Sequence, residues 1–330
     1  VNAAGPLQSP EFDGSFEWRG GSLAVPVLNV PVTEINLTVA GSSDGAATIN
    51  GKARAGDGDL SVEGQLENIM LPTRSVRVAL NGSSAELINW PEYRLWASPE
   101  LVVSGSSEGW EFDGSVEIPR AEIAVRELPE EAVMPSTDVV VVGREESVEA
   151  PARIAGEARI ALGDEVHVQA FGLDTKIQGD LQVRMSGDQP VSGEGEVTLV
   201  DGVFAAYGQK LTIEQGTLTF TGPLDNPLVD VRAVRVIEAL DGPVTAGIHL
   251  QGRAQSINST VYSDPVMAEA DALSYLVVGR PLSQATESEG GELSSAALAL
   301  GVKQAGRITE QIGQALGLDQ LTVAGNGGDT

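Results

Sequence analysis

The stretch GEGEVTLVDGVFAAYGQKLTIEQGTLTFTGPLDNPLVDVRAVR, Gly193 to Arg235, decides the fold. Apolar residues stand at every second position. Val197 and Leu199, Leu211 and Ile213, Leu218 and Phe220, then Val229, Val231 and Ala233 each sit beside a small, polar or charged neighbour. A period of two lays one face of a pleated strand against something apolar and the other against water. Glycines cut the run, so the pattern predicts a series of short strands.

The same pattern extends outward in both directions. Ile35, Leu37 and Val39 alternate with Glu34, Asn36 and Thr38; Val76, Val78 and Leu80 follow, then Val116 with Ile118 and Ile123 with Val125. Val166 and Val168 oppose His167 and Gln169, Leu181 and Val183 continue the series, and Val244, Ala246, Ile248 and Leu250 oppose Thr245, His249 and Gln251. One dry face and one wet face point to strands of the antiparallel type. The dipeptides Asp13-Gly14, Asp44-Gly45, Asn50-Gly51, Asp57-Gly58, Asn81-Gly82, Asp113-Gly114, Asp201-Gly202 and Asp241-Gly242 predict hairpin turns, because they supply the positive φ that tight turns need. FDGSFEWRGGSLAV (Phe12 to Val25) is echoed by FDGSVEIPRAEIAV (Phe112 to Val125) and more loosely by GEVTLVDGVF (Gly195 to Phe204). SPEF, SPEL and NPLV place Pro10, Pro99 and Pro227 where a strand is expected to open. Units that cannot bury their faces alone imply stacking along one axis, an elongated, repeat-like all-β fold.

Composition agrees and excludes other classes. The 330 residues hold 39 glycines but only 4% aromatics, a balance of many strands and few bulky anchors. Forty-seven acidic against twenty basic residues give a net charge of −27, which repels nucleic acid and anionic surfaces. With no cysteine there is neither a disulfide framework nor a thiolate metal site. The longest apolar runs, such as Val139 to Val142, fall far short of the ~20 residues of a spanning helix.

The character changes after Tyr262. Asp264 reads as an N-cap with Pro265 at the first helical position, opening a short helix to about Val278 that Gly279 and Pro281 stop. Residues 283–292 read as a polar loop, and Leu293 to Leu316 as an amphipathic helix, the two helices forming a hairpin on the sheet. A short strand and a tail occupy 320–330.

No catalytic constellation emerges. The nucleophile-elbow pattern occurs as GSSDG (Gly41 to Gly45) and GSSEG (Gly105 to Gly109), but both copies fall between strands without a histidine partner, and read as turns. His167 and His249 stand singly on wet strand faces, with no carboxylate cluster at ligand spacing. GDGD at Gly56 to Asp59 lacks the spaced oxygens of a calcium loop. No enzyme activity, metal or cofactor is expected.

Three segments resemble the C-terminal domain of the TamB family: FDGSVEIPRAEIAVRELPEEAVMPSTDVVVV (Phe112 to Val142), the Gly193 to Arg235 block, and VYSDPVMAEADALSYLVVGRPL (Val261 to Leu282) followed by GLDQL at Gly317 to Leu321. Residues 1–111 share only the style of the repeats. The resemblance implies a long sheet folded lengthwise into a trough, a β-taco, apolar inside and polar outside, over residues 1–262, with a helical hairpin at 263–319. It further implies a periplasmic protein tethered to the inner membrane, paired with a TamA-like outer-membrane barrel of the Omp85 class and engaged in outer-membrane biogenesis. The family's N-terminal anchor and its last strands lie outside residues 1–330, so partner contact is expected through segments beyond them.

A lipid role fits the physics. Exposing a CH₂ costs roughly 0.8 kcal/mol, so an acyl chain of about sixteen carbons costs on the order of 12 kcal/mol to carry through water. An unbroken apolar stripe made of the alternating residues named above would remove most of that cost. Small residues among them, such as Ala46, Ala79, Ala170, Ala205 and Ala233, leave room for a guest. The same alternation also builds a closed core. The alternative function is a scaffold whose strand edges pair with nascent outer-membrane strands by β-augmentation.

Overall fold

The computed structural model describes residues 2–4, 11–42, 46–67, 75–107, 109–125, 153–206, 208–239, 242–299 and 305–316. The apolar run Val139 to Val142, the turn at Asp44-Gly45, the GLDQL string and the expected terminal strand lie outside them. The chain divides into two compact units, residues 1–171 with 180–193, and residues 172–179 with 194–330.

Among the described residues, the elements of the first unit are all strands. The unit comprises β1 (Asn2–Ala4), β2 (Glu11–Val25), β3 (Val30–Gly41), β4 (Ala47–Ala55), β5 (Gly58–Glu67), β6 (Ser75–Ser83), β7 (Ala85–Asn89), β8 (Tyr93–Gly105), β9 (Trp110–Val125) and β10 (Ile154–Ala170). Its order is β1-β2-β3-β4-β5-β6-β8-β9-β10, with β7 off the path against β8. Neighbours pair antiparallel as the alternation implies, with one exception. β9 and β10 run parallel, Ile154 opposite Trp110 through to Ala170 opposite Val125. Residues 126–153 connect them, long enough for the crossover a parallel pair demands. β11 (Leu173–Ser186) contributes residues to both units.

The second unit holds β12 (Ser192–Ala206) from Glu194 onward, β13 (Gln209–Pro223), β14 (Leu228–Ala239), β15 (Gly242–Arg253) and β16 (Ser256–Asp264). Helices α1 (Glu269–Val277), α2 (Glu287–Ala299) and α3 (Ala305–Leu316) follow, with a single 3₁₀ turn at Leu282–Gln284 after α1. β13 to β16 are successive antiparallel neighbours.

Two expectations about strands need correcting. The strands are long, not short: the Gly193 to Arg235 block is three strands rather than many. Most Asn-Gly and Asp-Gly pairs also lie within strands. Gly51 is inside β4, Gly82 inside β6, Gly114 inside β9 and Gly202 inside β12. The reason is packing. A Cβ on Gly82 would sit 2.8 Å from Pro99 Cδ and 2.9 Å from Leu60 Cδ2, so glycine there lets two neighbouring side chains close over the strand. Pro99 likewise lies inside β8 rather than opening it, beside an irregularity in the pairing with β9.

The helical region differs as well. Asp264 still pairs with Thr245 as part of β16, so α1 begins only at Glu269. Residues 287–292, expected as loop, are the first turns of α2. Leu293 to Leu316 is not one helix, since α2 ends at Ala299 and α3 starts at Ala305.

Candidate functional site

Strand register sorts the apolar residues onto one face, because directly paired residues project to the same side. In the first unit one row runs Phe16, Val39, Ile49, Gly64, Val78, Val103, Phe112, Gly156. The row beside it runs Trp18, Leu37, Gly51, Val62, Leu80, Leu101, Gly114, Ala158. Ile35 lies opposite Gly21, Val76 opposite Leu66 and Gly105, and Val116 opposite Pro99 and Ile160. Ile118, Ile123, Val125, Val166 and Val168 extend the same face along β9 and β10. Among the described residues from β2 to β10, no Asp, Glu, Lys or Arg is paired onto it.

This face is half-buried rather than sealed. Leu37, Val39, Val78, Leu80, Leu101, Val103, Val116 and Ile118 all keep part of their surface accessible. Phe16 is 55% exposed, which no closed core would leave.

The opposite face carries the charge. Glu122 pairs with both Arg94 and Arg120, and the Arg120 guanidinium lies 4.5 Å from the centre of the Trp96 ring. The hydrogen bond from Arg120 holds the Glu122 carboxyl below its ordinary range. Asp180 of β11 accepts from Arg159 of β10 at 2.6 Å, which turns Leu181 and Val183 of β11 to the apolar side.

In the second unit the corresponding face is covered. Ile213, Ala233, Ile248 and Val261 form one row across β13 to β16. The three helices sit on it: Leu211, Ala246 and Ile248 share a core with Leu273, Leu276, Leu293, Ile308 and Ile312, while Ile213 and Leu250 pack at its margin. Leu218 and Val229 pair with each other, Val231 pairs with Leu250, and Val244 with Ile237. Leu199 lies over Gly216, Val197 is buried, and Phe220 is half-buried.

One charge breaks this second face. Arg235 occupies an apolar register position opposite Ala246, and its Nη1 donates to the carbonyls of Leu276 at 3.2 Å and Tyr275 at 3.4 Å. It therefore meets the negative end of α1. Burial there pushes its pKa down. Gly279, at φ +87°, follows α1, and a Cβ on it would lie 2.9 Å from Arg235 Nη2. Ser274 Oγ donates to the Arg280 carbonyl at 2.8 Å, and Arg280 holds Glu289 at the start of α2. The Thr286 amide donates to the same carboxylate at 2.7 Å, half of a capping box. With Arg280 as the main cause, the Glu289 pKa falls to about 2.

The sequence reading overlooked this chain of contacts. Thr286-x-x-Glu289 is a legible capping signature, and Arg235 is legible as a charge standing in the dry register. What each meets becomes visible only once α1 is docked. His249 is a further correction: its Nε2 lies 2.7 Å from Asp230 Oδ1 on the polar face of β14 and β15. No group of three or more potential metal ligands occurs among the described residues. None of the described helices is long and apolar enough to cross a membrane.

Residues 47–330 match the TamB C-terminal domain. The chain belongs to the TamB C-terminal domain family. It is 27% identical over 344 residues to the translocation and assembly module subunit TamB of Haemophilus influenzae (strain ATCC 51907 / DSM 11121 / KW20 / Rd). That alignment covers 99% of this chain and 26% of the relative, so the chain spans about a quarter of the TamB protein it matches.

Proposed function

We propose that this chain is a periplasmic segment of a TamB-like subunit in outer-membrane assembly, and that its apolar face carries phospholipid acyl chains between the inner and outer membranes. The observation that supports this is the half-buried face of β2 to β10, onto which no charged residue is paired among the described residues. Contiguous apolar faces left accessible on soluble chains mark binding surfaces. Such a face needs no catalytic group. The wider trough, the tether to the inner membrane and the pairing with a TamA-like barrel of the Omp85 class belong to this proposal through the family.

The test is native mass spectrometry of the purified chain after exposure to phospholipid vesicles. Val78 is the position to change, since it sits mid-row between Gly64 and Val103 and is half-buried. Ile248, only 3% exposed beneath the helices, would report on helix docking instead. Retained phospholipid that is lost in a folded Val78→Asp variant is the expected result. Equal retention by the two proteins overturns it.

A second reading rests on β16, which among the described residues pairs only with β15 and leaves an edge for another strand. Binding of a barrel-strand peptide that Thr260→Pro abolishes, with phospholipid retention absent, would favour that reading.

A further inference from the structure

β7 is the one described strand that stands off the strand order. Its path explains why part of the first unit's apolar face is shut. A Cβ on Gly58 would point into that face, because Gly58 pairs with Ala55. It would meet the Ser84 carbonyl oxygen at 2.2 Å and Ala85 Cα at 2.5 Å, so the chain entering β7 lies directly on β5. β7 then crosses β4 and β3. It ends fastened to the turn between β2 and β3. The Asn89 amide donates to the Leu28 carbonyl at 3.0 Å, Trp90 Nε1 to the Val27 carbonyl at 3.2 Å, and Asn29 Nδ2 to the Asn89 carbonyl at 2.5 Å. Beneath it Val30 and Ala55 are buried together with its own Ala85, and Leu60 of β5 and its own Leu87 pack against them.

We propose that β7 is a strap that competes with an acyl chain for the apolar face over β3 to β5, lifting from the β2–β3 turn when a guest occupies that face. This rests on the acyl-chain reading above. The strap covers Val30, Ala55 and Leu60, on the same face as the open rows but displaced along the strands, so a guest that spreads from those rows toward that end meets it. The strap's backbone ladder is with β8, Ala85 opposite Ala97 through to Asn89 opposite Arg94, so it moves as the outer arm of that hairpin. Its hold on β3 to β5 and the β2–β3 turn is slight by comparison: a buried cluster of three residues, two of them alanine, one backbone hydrogen bond and side-chain hydrogen bonds in exposed surroundings. Elements with few buried apolar contacts and exposed hydrogen bonds open first. A guest that binds only the open form must shift the strap, and a locked strap must weaken the guest by the same factor.

The chain contains no cysteine, so an engineered pair is unambiguous. Leu28→Cys with Asn89→Cys spans the Asn89–Leu28 hydrogen bond; oxidation locks the strap and reduction frees it. The locked protein should retain about fivefold less phospholipid from neutral phospholipid vesicles than its reduced form. Gly58→Val removes the seat of the strap while keeping a residue that strands accept, and should retain more than the wild type. Equal retention by locked and reduced forms overturns the proposal, as does a Gly58→Val protein that retains no more than wild type. If the wild type retains no phospholipid, the acyl-chain reading fails, and hydrogen exchange decides on the strap alone. The amide at position 89, which donates to the Leu28 carbonyl, supports an opening element if it exchanges faster than those of β4 and slows on oxidation. Protection there equal to β4 rejects it.

Discussion

Gly114 stands in the middle of β9 at φ +144°, and a Cβ there would fall 2.1 Å from the Glu100 carbonyl oxygen of β8. Alanine at this position forces the two backbones apart, so Gly114→Ala should cost about 1–3 kcal/mol, read as a lower urea midpoint. Asp113-Gly114 looks in sequence like a hairpin turn, and so do Asn50-Gly51 and Asn81-Gly82. The dipeptide offers positive φ or a missing side chain, and only the neighbouring strand determines which of the two is used. At Glu289 charge matters in place of volume. Its carboxyl titrates at about 2 in the folded chain against an ordinary 4.5, chiefly through Arg280. The folded state favours the ionised form, so this contribution is complete above pH 4.5 and is lost as pH falls towards 2. The protection of α2 amides, taken relative to their intrinsic exchange rate at each pH, should fall across that window in the wild type. In Glu289→Gln it should already be low and vary less with pH.

Strands and helices divide the packing unequally. Leu273, Leu293, Ile308 and Ile312 of the helices are among the largest fully buried side chains of the described residues, whereas Leu37 and Leu80 on the first unit's face stay half-buried. Leu273→Ala should therefore cost ~2–5 kcal/mol by leaving a cavity, while Leu37→Ala should cost about 1 kcal/mol. Chemical denaturation of both variants checks this, and equal losses would mean that the strand face is as closely packed as the helical core. The alternation made the strands themselves legible, along with the wet placement of His167 and His249. It could not show that β9 and β10 run parallel, because a two-residue period is the same in either direction. The helices were legible in number only roughly. Polar residues 287–292 read as loop, yet Thr286 and Glu289 cap a helix whose apolar turns lie further on.

At the scale of the molecule, the chain carries a net charge of −27, and among the described residues none of the charged groups of β2 to β10 is paired onto the apolar face. Self-repulsion among its carboxylates destabilises the folded chain, so added salt should raise the thermal midpoint by screening it. A midpoint that does not move between low and physiological salt would mean that the acidic groups are already paired. The sequence by itself determined the all-β class, the two-sided strands and the family, but not every residue of the dry face: Ala79 pairs with Glu63 on the charged side, and Arg235 stands in the dry register. The class, the two-sided strands and the family follow from the period of two and from local strings. Only the tertiary structure decided what covers that face: open rows along β2 to β10, the strap of β7 over β3 to β5, and the helices over β13 to β16. Alternation records that a side chain faces away from water in a strand, but what lies against it comes from segments distant in sequence, which leave no trace in the strand's own residues.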